Sequence, residues 1–195
     1  AMELMRGVSL RELLQRRRRL SVTESAAVLR PIVDALATAH RQGIVHRDLK
    51  PDNIFIDTDA KQRRIPKVLD FGIAKAMQAQ GSLITESGTV MGTVHYMSPE
   101  QARGQNIGPP ADVWAMGVIL YECLAGTRPF EGEGTTEVLM KIVSAGHRPL
   151  SEAWPAAPPL RPRRGSRPSC RTAPATSPGS VARPQTAPAV GRRPR

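Results

Sequence analysis

The stretch His46-Arg47-Asp48-Leu49-Lys50-Pro51-Asp52-Asn53, followed seventeen residues after Asn53 by Asp70-Phe71-Gly72, decides how this chain is read. Between the two lie Ile54-Phe55-Ile56 and Lys67-Val68-Leu69, short β-rich runs joined by the polar, turn-containing residues 57–66. They predict a hairpin with a long connection and a mobile tip. Such a hairpin brings Asn53 and Asp70, from its opposite ends, to one metal ion. An amide oxygen and a carboxylate are the hard ligands that Mg2+ prefers. Asp48 offers a carboxylate to orient a hydroxyl and take its proton, and Lys50 a cation to offset charge in transit. Phosphoryl transfer asks a protein mainly for positioning and charge neutralisation, and these side chains are such a set.

Upstream, apolar residues recur at helical spacing: Leu10, Leu13, Leu14, then Val22, Ala26, Leu29, Val33, Leu36 and Ala37. This predicts two helices. The first starts near Ser9, where Glu12 completes a capping-box pattern, and ends in the arginines at 16–19. That basic run reads as a solvated helix end, which favours cations, and not as a nucleic-acid patch. Ser21 or Thr23 caps the second helix, Pro31 predicts a kink or a later start, and Gly43 closes it.

Downstream, residues 70–100 hold Gly72, Gly81, Gly88, Gly92 and Pro99 among many Ser and Thr, as an extended functional loop would. Residues 112–124 form a continuous apolar helix, expected to be buried nearly all round. Residues 135–145 read as a short amphipathic helix on Val138, Leu139, Ile142 and Val143.

The formal net charge of +11 points to a polyanion until it is localised. Residues 148–195 hold ten arginines and one acid, Glu152, whereas the first 147 residues carry 18 basic and 16 acidic groups. The basic character belongs to the tail, which lacks the aromatic interleaving of a single-strand binder, so no specific nucleic-acid partner is expected. With eleven of the eighteen prolines, residues 148–195 cannot bury enough surface to offset their chain entropy and are expected to be disordered. Their composition also resembles an out-of-frame translation of a GC-rich gene, a hypothesis that a nucleotide read across codon 147 tests. Cys123 and Cys170 form no CxxC pair, which fits a reducing, cytoplasmic setting. The longest apolar run is interrupted by Glu122 and is far shorter than the roughly 20 residues of a spanning helix, so no membrane segment is expected.

The motifs resemble the eukaryotic-type protein kinase family and, within it, the bacterial serine/threonine branch. The resemblance runs from Met2 to about His147 and covers the large, C-terminal lobe. It implies an α+β, mainly α fold: a partial kinase domain over 1–147 with a short catalytic-loop β-hairpin, then a tail over 148–195. It implies catalytic roles for Asp48, Lys50 and Asn53, and metal ligation by Asn53 and Asp70. Nucleotide contacts would come from Lys50, Asp70, the backbone of Glu3 and Met5 at the hinge, and Phe55 beneath the base, with Met2 as gatekeeper.

Lys50 two places after Asp48, and Gly92-Thr93-Val94-His95-Tyr96-Met97-Ser98-Pro99-Glu100, look like the Ser/Thr class. Arg47 before the catalytic aspartate marks kinases switched by loop phosphorylation, because a guanidinium pairs with a loop phosphate. Thr85 and Ser87, with Thr89 as a further candidate, match the phosphorylated positions, and Thr93 the substrate-positioning threonine. Arg47, Glu100 and Asp112 are structural by the same resemblance. Asp112 would hold the catalytic-loop backbone, and Glu100 would pair with an arginine for which the tail offers no matching context. His46 reads as buried scaffold and Cys123 as core packing.

The implied function is a protein kinase that transfers the ATP γ-phosphoryl group to protein Ser or Thr hydroxyls. Its cofactors would be ATP and Mg2+, with Mn2+ as an alternative ion, and self-association would serve trans-phosphorylation. No Gly-x-Gly-x-x-Gly precedes Met2, so the chain alone is expected to be inactive or weak. The alternative is a non-catalytic remnant acting as a protein-binding module. Retention of Asp48, Lys50, Asn53 and Asp70 together favours the first reading.

Overall fold

Ser9 ends a strand and begins a helix, and the chain is built outward from that corner. The structure is a computed structural model that describes residues 5–59, 61, 63–70 and 94–155. These lie in the first of two units, Ala1–Pro158; the second, Pro159–Arg195, is outside the described residues. In chain order the elements are β1 (Gly7–Ser9), α1 (Leu10–Arg17), α2 (Val22–Arg41), a 3-10 turn (Pro51–Asn53), β2 (Ile54–Thr58) and β3 (Arg64–Val68). A second 3-10 turn (Val94–Tyr96), α3 (Pro99–Ala102), α4 (Pro109–Ala125), α5 (Thr135–Val143) and α6 (Leu150–Ala153) follow.

The Ser9 hydroxyl accepts the Glu12 amide at 3.1 Å, but the Glu12 carboxylate turns to Arg16 at 4.0 Å, so only half of the expected capping box forms. At α2 the full box is present: Ser21 accepts the Glu24 amide, and Glu24 Oε2 accepts the Ser21 amide at 2.9 Å. Pro31 does not delay the start of α2, which runs unbroken from Val22 to Arg41. Pro31 and Ala27, whose carbonyl loses its helical donor, are both exposed, so water can satisfy that carbonyl.

The hairpin strands are longer than the two runs suggested and take in half of the anticipated connection. Asp57, Thr58, Ile65 and Pro66 are all paired, in the register Ile54↔Val68 through Thr58↔Arg64. Pro66 is tolerated because β3 is an edge of the sheet order β1-β2-β3. The strand β1, too short to announce itself, pairs antiparallel with β2, Gly7 opposite Asp57. Only glycine fits at position 7, since a Cβ there would lie 2.0 Å from the Ile56 carbonyl oxygen.

Leu10, Ile32, Ile54, Ile119 and Ile142, from α1, α2, β2, α4 and α5, are fully buried in one cluster. Each such side chain contributes roughly 1.5–3 kcal/mol by leaving water. The helix α4 is the spine of this core, but it is not buried nearly all round. Val113 is 66% exposed and Leu120 42%, on one stripe with Gly117, because no described element covers that side. On α5 the apolar set divides likewise: Val138 and Ile142 are buried and Val143 is exposed.

The expected disorder from residue 148 does not begin there. Arg148 N–H donates to the Pro129 carbonyl, and α6 follows, with Leu150 and Trp154 half-buried beside α4. The helical turn forms among prolines and arginines whose composition does not suggest it. Residues 156–195, including Cys170, lie outside the described residues.

Candidate active site

The loop carrying Asp48 is held from below by one buried carboxylate. Asp112, in the first turn of α4, is 1% exposed. Its Oδ1 accepts the Arg47 amide at 2.9 Å, and its Oδ2 accepts the His46 amide at 2.9 Å and contacts His40 Nε2 at 2.7 Å. A carboxylate removed from water needs such donors, and these come from α2 and from the loop itself. His46, fully buried, works in the other direction. Its Nε2 donates to the Leu69 carbonyl at 3.0 Å, and its Nδ1 accepts the Asp48 amide at 3.3 Å. One imidazole thus joins the Asp48 loop to the end of β3, next to Asp70.

Around Asp48 the expected residues converge. Lys50 Nζ lies 3.4 Å from Asp48 Oδ2. Asn53 Nδ2 donates to the Asp48 carbonyl at 2.8 Å, and the Asn53 carbonyl accepts the Leu69 amide at 2.8 Å. The donor end of the Asn53 amide is therefore committed, and its Oδ1 is the end left to ligate. Continuing the β2/β3 register, Asn53 stands opposite Leu69, one residue before Asp70. Asp70 is exposed and holds a left-handed backbone, φ 47°. An amide oxygen and an exposed carboxylate delivered by the ends of one hairpin suit a hard divalent cation.

Three further residues gather beneath this loop, and only one of them stood out in the sequence. Tyr96 donates from its hydroxyl to Glu122 Oε2 at 2.6 Å, and Arg11 donates from its guanidinium to Glu122 Oε1 at 2.8 Å and to the Tyr96 hydroxyl. Arg11 Nε also lies 3.5 Å from Asp52. Burial, and then the Glu122 carboxylate, push the Tyr96 hydroxyl well above the usual phenol range, so it stays a donor. This network floors a cleft of about 480 Å3 whose lining includes Lys50, Asp52, Arg128 and Glu131. The one sequence clue was Glu122 itself, an acid inside an apolar helix.

Gln101 also went unremarked, although its place three residues after Ser98 is a capping-box pattern. It bridges Ser98 and Arg47, donating from Nε2 to the Arg47 carbonyl at 2.7 Å. His40, at the polar end of an amphipathic pattern, likewise gave no sign that it would meet Asp112.

Of the remaining candidates, Met5 is half-buried ahead of β1, and Phe55 is half-buried in β2 opposite Ser9 and Lys67. Glu100 is half-buried, and its carboxylate has no ion pair among the described residues. Met2, Glu3, Phe71, Gly72, Thr85, Ser87, Thr89 and Thr93 lie outside the described residues. No described helix is long and apolar enough to cross a membrane.

A family model described as a protein kinase domain matches residues 1–166. Over 158 residues the chain is 41% identical to serine/threonine-protein kinase PknL of Mycobacterium tuberculosis, covering 81% of this chain and 38% of that protein. Over 154 residues it is 42% identical to serine/threonine-protein kinase PknA of the same species, covering 79% and 34%. It is 38% identical over 159 residues to a probable serine/threonine-protein kinase, PknB, of Bifidobacterium longum, covering 82% and 22%. The chain thus spans well under half the length of the curated relatives it matches.

Proposed function

The chain belongs to the protein kinase family, in its bacterial eukaryotic-type serine/threonine branch, and from that premise we propose that it carries the catalytic loop of an ATP-dependent protein Ser/Thr kinase. In this reading residues 1–147 are the large-lobe part of the domain. The observation that carries the proposal is the joint placement of Asp48, Lys50 and Asn53: a carboxylate 3.4 Å from an ammonium, with an amide tied to the carboxylate's own backbone.

Asp48 orients the acceptor hydroxyl and takes its proton as that oxygen bonds to the γ-phosphorus and the bond to the ADP oxygen breaks. Lys50 stays beside Asp48 and offsets charge on the phosphoryl oxygens. Asn53 Oδ1 and the Asp70 carboxylate hold Mg2+ when it is bound, and the ion supplies charge neutralisation at the phosphates. Asp112 and His46 do not touch substrate. They keep Asp48 and the approach to Asp70 in fixed relation, which supports transfer by positioning. A loop phosphate at Thr85, Ser87 or Thr89 would pair with Arg47, and Thr93 would help place the acceptor.

The test is transfer of labelled γ-phosphate from Mg-ATP to a basic protein, with this chain beside its Asp48→Asn variant. Label on Ser or Thr, however small in amount, must fall to background in the variant. Incorporation that survives the change overturns the assignment of Asp48. Capture of a specific partner without nucleotide or transfer would favour a binding module instead.

A further inference from the structure

We propose that Gln101 is a positioning residue that holds the Arg47 backbone, and through it Asp48, in working geometry. Among the described residues Arg47 is one of four non-glycine residues with positive φ, at 66°, and it directly precedes Asp48. A side-chain-bearing residue stays in the left-handed region only where its surroundings over-determine it. Both of its backbone polar groups are taken: Asp112 Oδ1 accepts the amide at 2.9 Å, and Gln101 Nε2 donates to the carbonyl at 2.7 Å.

The other end of the Gln101 amide is equally committed. Its Oε1 accepts the amide of Ser98 at 2.9 Å, and the fully buried Ser98 closes a capping box on Gln101 in return. Flipping the amide would set N–H against N–H at Ser98 and oxygen against oxygen at Arg47, so a single orientation serves both contacts. Gln101 therefore couples the start of α3 to the peptide that aims Asp48. Any displacement of residues 98–102 is delivered to the acceptor side of the site. The inference deepens the kinase reading and rests on it only for its activity readout.

The experiment compares Gln101→Met, which keeps length and removes both hydrogen bonds, with Gln101→Glu, which keeps an acceptor for Ser98 and opposes the Arg47 carbonyl. The control is Arg103→Ala, one turn-position away on the same segment, where the lost bond runs to the Val143 carbonyl. The Arg47 and Asp48 amides donate to Asp112 and His46, and loss of the Gln101 bond to the Arg47 carbonyl between them should loosen both. Their hydrogen exchange should quicken by about tenfold in both Gln101 variants. It should not change in the control, and exchange at the Ile119 amide in the core should stay as it was. In phosphotransfer, kcat should fall by roughly tenfold or more with KM for Mg-ATP unchanged. Exchange at Arg47 and Asp48 within twofold of the unaltered chain, or acceleration shared equally by Ile119, overturns the proposal. Where the unaltered chain transfers no more label than Asp48→Asn, as is expected of a chain inactive by itself, the exchange result alone decides the role of Gln101.

Discussion

His40 Nε2 lies 2.7 Å from Asp112 Oδ2, joining the last turn of α2 to the first turn of α4 at the carboxylate that also holds the His46 and Arg47 amides. Three donors from two elements thus share one buried acid. The core helices and the catalytic loop are one mechanical unit at this point.

Removing that acid leaves all three donors without their acceptor. Asp112→Ala is expected to cost about 3–5 kcal/mol, the range for breaking a buried charged contact, and to abolish phosphotransfer. Urea unfolding measures it. A loss under about 1 kcal/mol would show that the donors find other partners.

The Arg11–Tyr96–Glu122 network makes a different prediction. Glu122 is 7% exposed, so Arg11→Ala strands a buried carboxylate with one hydroxyl and should cost about 3 kcal/mol. In a Glu122→Gln background the same change should cost far less, because no charge is stranded. A double-mutant cycle with additive costs would refute the coupling.

Asp48→Asn should separate chemistry from folding. The side chain is only 15% exposed yet takes no part in the core, so stability should change by less than about 1 kcal/mol. Phosphotransfer should fall by roughly 10²-fold or more, the scale of a lost general base. A melting temperature that falls in step with the activity would tie the effect to folding instead.

At the start of α2 the sign of a pH effect can be worked out. The Ser21 amide and hydroxyl, then Arg17, hold the Glu24 carboxyl at about 2, below its ordinary 4.5. A depressed carboxylate stabilises the fold above its unfolded value, and that contribution is lost as pH falls from about 4.5 through about 2. The stability gap between the unaltered chain and Glu24→Gln should therefore be widest above pH 5 and close in that interval. Glu24 is exposed, so the gap should also narrow with salt. A gap that stays constant with pH would show that the cap does not depend on charge.

Much of this was legible along the chain because the physics is local. The cap of α2, offered by Ser21 or Thr23, the hairpin between Asn53 and Asp70, and the apolar periods of α2 and α5 are short-range patterns, readable from propensity and spacing. The later start that Pro31 suggested does not occur, because a proline's cost depends on whether its freed carbonyl faces water, which spacing does not reveal. The expectation of disorder from residue 148 failed at Leu150–Ala153, where a short helix forms that composition does not reveal.

Residue order and spacing are enough to say which chemistry is on offer: a carboxylate, a lysine, an amide and a second carboxylate at spacings that a hairpin can gather. The family resemblance implied that Asp112 holds the loop, but the contacts of His40, Gln101 and Arg11 emerged with the folded arrangement. The Asp112 contacts to His46 and Arg47 span 66 and 65 residues, Gln101 reaches Arg47 across 54, and Arg11 reaches Glu122 across 111. No periodicity or local motif encodes such distances. They are set by which buried polar groups must find partners once the apolar core has brought their elements together.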